Sequence, residues 1–191
     1  MGTHTGSKEE RVSAVNGTDD REARSKFWIA AYTRPRSEKK AAENMAKDIE
    51  TYVPIQKVVK QWSDRKKKID VPVIPMVFFA HVEEEELLAI KKNPLILRIL
   101  TIPGSKSPAR IPDNQIERLK FMLKESDVPV SFETRLFHLE DKVRVTRGCM
   151  TGMTGSVERI SDKKVRLVVS IDLLGGAIVE LDSSDVEVYS D

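Results

Sequence analysis

The sequence contains little of what most catalytic, metal and disulfide sites require. It has one cysteine, Cys149, which excludes a disulfide within the chain, and three widely separated histidines, His4, His81 and His138. None of these has a second histidine, a cysteine or a carboxylate pair at a metal-ligand spacing. G-x-S-x-G, Walker-type and G-x-G-x-x-G motifs are also missing. We therefore expect a protein that is not an enzyme, holds no metal or cofactor, and belongs to the reducing cytoplasm.

A large excess of positive or negative charge and long apolar runs are absent as well. The formal net charge is only +2, although 32% of the residues are charged, so composition alone does not indicate nucleic-acid binding. No apolar stretch approaches the roughly 20 residues that cross a bilayer. Residues 1–25 are polar and lack an apolar signal core. They predict a disordered tail on a protein that is neither secreted nor membrane-bound.

Residues 26–124 alternate between strand and helix patterns. An apolar strand, FWIAAYT, is followed by SEKKAAENMAKDIE, which Ser37 can cap as a helix. Further strands are predicted at 52–62, 67–71, 73–82 and 95–102, and further helices at 83–92 and 114–124. This order predicts an antiparallel sheet with helices packed on it, an α+β fold. The mixed polarity of residues 125–138 predicts an interdomain linker.

Residues 139–191 predict a second, all-β domain. Short alternating apolar and polar segments are separated by glycines, as at Gly148, Gly152 and Gly155. About five such strands in so short a segment are expected to curl into a small barrel, since both faces of an open sheet would stay in contact with water. The glycines resemble a phosphate loop only superficially, because no Lys-Ser/Thr pair or following helix accompanies them.

Two basic groups leave their function open. The first surrounds Trp62 in the predicted hairpin and consists of Lys57, Lys60, Arg65, Lys66, Lys67 and Lys68, opposed by Asp64. Basic residues interleaved with an aromatic suit nucleic-acid binding, and a solvated hairpin tip is an equal alternative. The second group precedes and spans the first helix: Arg34, Arg36, Lys39, Lys40 and Lys47. It either meets phosphates at the helix N-terminus or forms a solvated helix face.

The segment Ile74-Pro-Met-Val-Phe-Phe79 also allows two interpretations. Strict alternation puts Ile74 and Phe78 on one face, and Val77 and Phe79 on the other. If helices cover only one side of the sheet, one of these sets is exposed and forms a protein-docking patch. The alternative is a strand buried on both faces.

Taken in order, these motifs resemble the NusG family of transcription elongation factors. FWIAAYTRPRSEKKAAENMAKD followed by RKKKIDVPVIPMVFFAHV resembles its N-terminal NGN domain. The run from Val143 to Val157 fits the pattern V-x-V-x-x-G-x-x-x-G-x-x-G-x-V of its C-terminal KOW domain. The resemblance implies a ferredoxin-like NGN domain at 26–124 and an SH3-like KOW barrel at 139–191.

The resemblance also implies a docking site for RNA polymerase. In this family an apolar depression docks on the polymerase clamp helices, and the protein bridges the DNA cleft and suppresses pausing. The residues that match this depression are Tyr32, Ile74, Pro75, Val77 and Phe79. On this basis, Phe79→Asp or Tyr32→Asp is predicted to abolish polymerase binding without unfolding the chain.

Further partners follow from the same resemblance. Arg34, Asn44 and Lys47 match positions that face non-template DNA in specialised relatives, and Arg36 belongs to the same basic group. The barrel is expected to recruit a protein through Ile171, Leu173 and Leu174; in general NusG the partner is a small-subunit ribosomal protein or the termination factor Rho. A monomer is expected.

Within the family, the sequence resembles specialised paralogs of the UpxY group of Bacteroides, which is linked to capsular polysaccharide operons. The rival hypothesis is a ribosome-associated RNA-binding protein, because KOW barrels also occur in ribosomal proteins. The net charge of +2 argues against it, since ribosomal proteins are usually far more basic.

Overall fold

The computed structural model describes residues 25–45, 47–62, 65–135 and 141–189. The predicted tail therefore lies outside the described residues, apart from Ser25. The first half is built on a four-stranded antiparallel sheet of order β2-β5-β1-β6, called the first sheet below. Its strands are β1 (Phe27–Thr33), β2 (Glu50–Tyr52), β5 (Val77–Val82) and β6 (Ile96–Ile99), and its helices are α1 (Glu38–Glu43), α2 (Leu87–Lys92) and α3 (Asp113–Glu125).

Both faces of the first sheet are buried, because β1 and β5 are apolar at nearly every position. On one face, Ile29 and Ala31 lie with Phe78 and Ala80 in a core closed by α1 and α2. On the opposite face, the cluster contains the following residues of β1, β5 and α3: Trp28, Ala30, Val77, Phe79, Ile116, Leu119 and Met122. The first sheet is thus a central layer with helices on both sides, which confirms the α+β prediction.

Two elements are shorter than the sequence predicts. The helix that begins after Ser37 ends at Glu43, although the predicted apolar residues Ala41, Ala42, Met45 and Ile49 all reach the core. The apolar strand begins only at Val77, because Met76 adopts φ 62°. The Met76 amide instead donates to the Glu38 carboxylate (2.7 Å), and its carbonyl accepts from Thr33 (2.8 Å). Ile74 and Pro75 therefore lie in a turn, where strand alternation does not apply.

Strands β3 (Ile55–Gln61) and β4 (Lys66–Pro72) form the predicted basic hairpin as a separate two-stranded sheet. Its base is tied to the chain that follows α3, since the Gln56 side chain donates to the Val128 carbonyl and accepts from the Val130 amide. On the other side of the hairpin, Lys39 of α1 forms an ion pair with Asp70 (2.7 Å). These contacts fix the orientation of an element that would be only marginally stable by itself.

The second half forms a six-stranded antiparallel sheet of order β12-β8-β9-β10-β11-β7, called the second sheet below. Its strands are β7 (Ser131–Glu133), β8 (Lys142–Val145), β9 (Thr154–Arg159), β10 (Lys164–Ile171), β11 (Gly175–Asp182) and β12 (Val186–Val188). The predicted all-β character of this half is confirmed.

Strand β7 comes from the segment that the sequence predicts as linker. Phe132 pairs with Ala177 and Glu133 with Gly176, so part of that segment belongs to the second sheet. The chain passes so close to Gly175 that a Cβ there would lie 2.0 Å from the Glu133 carbonyl oxygen. Gly175 also has φ 136°, which only glycine adopts easily. The weak periodicity of a three-residue edge strand explains why sequence analysis missed it.

Arg135 fastens the end of this segment to β9. Its guanidinium donates to both Glu158 carboxylate oxygens, with Nη1–Oε1 at 2.8 Å and Nη2–Oε2 at 2.6 Å, and also contacts Glu133. These hydrogen bonds hold the pKa of Glu158 below its usual value. The ion pair therefore stabilises the fold above the ordinary glutamate pKa of about 4.3 and loses its effect as the pH falls below that value.

Arg135→Gln is expected to lower the melting temperature at pH 7 and to lower it less at about pH 3, because Glu158 progressively loses its charge as the pH falls. Thermal unfolding followed by circular dichroism at several pH values tests this. Lys124→Gln, which alters an exposed pair with Glu125, serves as the control. An equal loss of melting temperature at both pH values would show that Arg135 acts by packing and not by charge.

Candidate functional site

The predicted polymerase-docking residues converge on one side of the first sheet. Tyr32 is paired with Val77 and Ala30 with Phe79 across the β1–β5 ladder. Because directly opposed residues share a face, Tyr32, Val77 and Phe79 point to the same side. Ile74 joins them in the same core cluster, and Pro75 lies exposed in the adjoining turn.

This side of the sheet is not open to water. Ile74, Val77 and Phe79 are 4%, 2% and 0% exposed, and only Tyr32 and Pro75 retain substantial contact with solvent. The expectation of an apolar hollow lined by all five residues is therefore wrong in this arrangement. The physical reason is that the apolar stripe of α3 covers this face. Burying the two apolar surfaces against each other has a lower free energy than leaving both in contact with water.

Helix α3 is held on the first sheet by contacts of Lys120 with the aromatic rings of Trp28 and Tyr52. The Lys120 ammonium lies 4.7 Å from the centroid of Trp28 and 5.3 Å from that of Tyr52, and pairs with Glu50 at 3.0 Å. Tyr52 stacks near Phe79, with centroids 6.2 Å apart. Burial among these groups raises the pKa of Tyr52 to about 12, so the phenol is neutral at physiological pH. Lys120 thus contributes to closing the predicted docking face.

The closed face is continuous with the interior of the second sheet. A single core cluster contains Phe79 and Leu119 of the first half together with residues such as Val145, Leu167 and Val179 of the second. Helix α3 packs against both β1 and β10. The two halves of the chain therefore meet across α3 and share apolar burial.

The predicted partner-binding turn lies at this junction. Ile171 and Leu174 are buried, whereas Leu173 is 53% exposed with φ 62°. Asp172 between them is clamped to the first turn of α3: its amide donates to Gln115 Oε1 (2.9 Å), and Gln115 Nε2 donates to Asp172 Oδ1 (2.8 Å). Leu173 lines a cleft with Ile102 and Ala109 of the loop after β6. The turn therefore already contacts α3 and the loop after β6 of the same chain.

The predicted DNA-contacting residues flank α1. Arg34 and Arg36 precede the helix, Asn44 and Lys47 follow it, and all four are exposed. A helix of six residues is only about 9 Å long, so the structure places both pairs near one another. Its N-terminus is occupied by Glu38, which is buried and accepts a hydrogen bond from Met76. Any phosphate contact is thus expected from the side chains and not from the helix terminus.

Three polar residues that hold α3 and the first sheet in place were missed from the sequence. Gln115 of α3 bonds to Asp172 of the second half, and Lys120 of α3 contacts aromatic rings of the first sheet. Arg98, which lies 4.0 Å over the ring of Tyr32, was also missed. The amphipathic pattern of α3 gives its apolar face, but no sequence signal identifies Asp172 as the partner of Gln115 or Arg98 as the partner of Tyr32.

Among the residues that the structure describes, no group of three histidine, cysteine or carboxylate side chains is arranged to hold a metal ion. Within the same ranges, no helix combines the length and apolar content needed to cross a membrane.

Known proteins resemble this chain in sequence and in fold. A family model described as "Transcription termination factor nusG" matches residues 26–120. The transcription termination/antitermination protein NusG of Pasteurella multocida is 28% identical over 141 residues, which cover 72% of this chain and 76% of that protein. The corresponding protein of Rickettsia felis is 24% identical over 176 residues, 85% of this chain and 90% of that protein.

A solved structure described as "Domain interaction in Thermotoga maritima NusG" agrees in fold, with a TM-score of 0.50 and 20% identity over 88% of this chain and 99% of that one. The family model covers the first sheet and most of α3, and the alignment with the Rickettsia relative extends over most of the chain. The sequence pattern, the fold and these matches agree, and the chain belongs to the NusG family.

Proposed function

We propose that this chain is a transcription elongation and antitermination factor that binds RNA polymerase through the side of the first sheet that carries Tyr32, Val77 and Phe79. Family membership supports this function, because the curated relatives are named transcription termination/antitermination proteins. The observation that carries the proposed site is that Tyr32, Val77 and Phe79 share one apolar side of the first sheet, a side now covered by surfaces that continue into the second sheet.

Binding at this site requires that the second sheet and α3, which cover this side of the first sheet, move away from it. Since Val77 and Phe79 are buried, polymerase reaches the face fully only when the second sheet separates from α3 and α3 shifts on the first sheet. The reciprocal Gln115–Asp172 pair is a polar contact that resists separation. The affinity measured for polymerase is then reduced by the fraction of molecules that are closed.

The same separation frees the proposed partner site. Ile171 and Leu174 are buried in the closed arrangement, and they would become available to a protein partner of the second sheet once that sheet is released. Polymerase binding and partner recruitment are then positively coupled, because both draw on the same open state. Rho and a small-subunit ribosomal protein are the candidate partners.

Contact with non-template DNA is proposed for Arg34, Arg36, Asn44 and Lys47. These exposed side chains lie at the two ends of α1, next to the Lys39–Asp70 ion pair that joins α1 to the basic hairpin. The placement within the UpxY group stays a prediction that rests on sequence resemblance.

The double substitution Gln115→Ala and Asp172→Ala tests whether separation of the second sheet from α3 limits polymerase binding. Loss of a partly exposed hydrogen-bonded pair worth about 1 kcal/mol is expected to raise the affinity for purified RNA polymerase about fivefold by favouring the open state. Titration with labelled polymerase measures the affinity, and transcription of paused templates tests whether pausing is suppressed.

Asp162→Ala provides the control, because it removes a carboxylate from another exposed turn of the second sheet. Unchanged polymerase affinity in the double variant would show that the second sheet does not compete with polymerase. If the chain instead bound ribosomal RNA with steep salt dependence and ignored polymerase, the ribosome-associated alternative would replace the proposed function.

A further inference from the structure

The edge of the first sheet beside Tyr32 stays exposed, although most of the proposed docking side is covered. Strand β6 is the outermost strand at this edge, and its Arg98 is directly opposite Tyr32 of β1. Because directly opposed residues share a face, Arg98 belongs to the docking side. Unlike Val77 and Phe79, it is exposed to water. This part of the docking side is therefore accessible while α3 and the second sheet remain in place.

The Arg98 side chain is positioned by the ring beneath it. Its guanidinium lies 4.0 Å from the centroid of the Tyr32 ring, which is a cation–π contact. Within the described ranges no carboxylate forms an ion pair with Arg98. By contrast Arg110, which lies 4.1 Å over the ring of Phe27, is paired with Glu84 at 3.5 Å. A stacked guanidinium keeps the N–H donors in its plane available for a carboxylate.

A β-bulge places an apolar residue next to Arg98. The residue pair that follows Tyr32 and Arg98 in the ladder is Thr33 with Ile96, which leaves Leu97 as an extra residue of β6. Leu97 is 57% exposed. Bulges occur preferentially at sheet edges and beside functional sites, where they redirect a side chain. A charge on an edge strand also prevents pairing with other sheets, but that role requires neither an exposed leucine nor a guanidinium placed over Tyr32.

We propose that Arg98 and Leu97 extend the docking side to the edge of β6, where Arg98 pairs with a carboxylate of RNA polymerase and Leu97 packs beside that pair. The partner surface is thus acidic with an apolar neighbour, which complements an unneutralised guanidinium next to an exposed leucine. This proposal rests on the proposed function, because it names a contact by which polymerase recognises the same side of the sheet. The contact forms without separation of the second sheet, since both residues are exposed in the closed arrangement.

Titration of labelled RNA polymerase at two salt concentrations tests the Arg98 contact. Arg98→Gln is expected to weaken binding about tenfold at about 0.05 M salt and about two- to threefold at about 0.5 M, because salt screens an ion pair at an exposed edge. The loss at low salt is expected mainly in the association rate, as for other charges at the rim of an interface. Arg98→Lys is expected to bind with an affinity between those of wild type and Arg98→Gln, because it keeps the charge and loses the planar donors.

Leu97→Gln tests the apolar part of the same surface. It is expected to weaken binding roughly threefold at both salt concentrations, because burial of apolar surface does not depend on charge screening. Leu88→Gln is its control, since Leu88 is 61% exposed on α2. The control is expected to bind polymerase as wild type does.

Arg110→Gln is the matched control for Arg98→Gln. It removes the same charge from another exposed arginine that lies over an aromatic ring in the first half of the chain, so the net charge of the two variants is identical. Thermal melts establish that each variant is folded. Arg110→Gln is expected to bind polymerase with wild-type affinity and wild-type salt dependence.

Three results would overturn the proposal: wild-type affinity of Arg98→Gln at low salt, an equal loss in Arg110→Gln, or a loss in Arg98→Gln that is the same at both salt concentrations. Normal polymerase binding by the wild-type chain together with any of these results overturns the edge contact alone. Absence of binding by the wild-type chain overturns the proposed function and this contact together, so the two failures are distinguishable.

Discussion

Replacing Phe79 by aspartate is expected to unfold the first sheet. Phe79 is fully buried in the central strand β5, opposite Ala30 and near Tyr52. Truncation to alanine in such a core costs about 3–5 kcal/mol through lost burial and the cavity left behind. A carboxylate adds the penalty of an unpaired buried charge, and the total is comparable to the whole stability of an ordinary domain.

Circular dichroism and thermal melting of the purified variant measure this effect. Leu88→Asp is the matched control, because it introduces the same charge at an exposed apolar residue of α2 in the same half of the chain. We expect the control to melt near the wild-type temperature and Phe79→Asp to lack a cooperative transition. A folded Phe79→Asp protein would mean that this side of the sheet opens readily to water.

This expected unfolding makes Phe79→Asp unsuitable as the test of polymerase binding that the sequence suggests. Loss of polymerase binding in Phe79→Asp would reflect unfolding as much as loss of a contact, so Phe79 cannot report on docking. A residue that belongs to the same side of the sheet but retains contact with water is needed, and Tyr32 meets that requirement.

Tyr32→Asp is expected to reduce polymerase affinity by about 30-fold or more while the chain stays folded. Tyr32 lies on the proposed docking side, opposite Val77, with the Arg98 guanidinium over its ring. Aromatic residues of this kind often contribute 2 kcal/mol or more at an interface. The new carboxylate would sit beside Arg98, which compensates its charge in the free protein and limits the loss of stability.

Titration of purified RNA polymerase with Tyr32→Asp, Tyr32→Phe and Val188→Asp measures the contribution. Tyr32→Phe keeps the ring and is expected to bind within a few-fold of wild type. Val188→Asp adds a charge at an exposed apolar residue of β12, in the other half of the chain, and is expected to bind normally. Wild-type affinity in a folded Tyr32→Asp protein would exclude this side of the sheet as the docking site.

The hairpin and α3 show how well local pattern predicts local structure. The basic segment 57–68 reads as two strands around a turn, and the structure pairs Gln61 with Lys66 across it. The 3.6-residue period of Ile116 and Leu119 predicts a helix, which extends over Asp113–Glu125. In both cases the pattern lies within a few residues of chain, so the sequence contains all the information that is needed.

The first helix and β7 show where local pattern fails. SEKKAAENMAKDIE has the composition of a long helix, but α1 ends at Glu43 while Ile49 still reaches the core by another path. Segment 131–133 has no strand pattern, yet it is a strand because β11 offers an edge and Gly175 leaves room for the chain. Contacts with distant residues outweigh weak intrinsic preferences in both places.

The sequence by itself determined the two kinds of domain, the apolar strands at the centre of the first sheet, the basic hairpin and the family to which the chain belongs. These properties depend on residue types and on spacings of two to four positions. Only the tertiary structure decided which apolar surface is exposed: α3 and the second sheet cover Val77 and Phe79, and Gln115 clamps Asp172 across the junction. Burial is a property of pairs of surfaces, and an apolar side chain carries no signal of whether its partner lies in the same chain or in another protein.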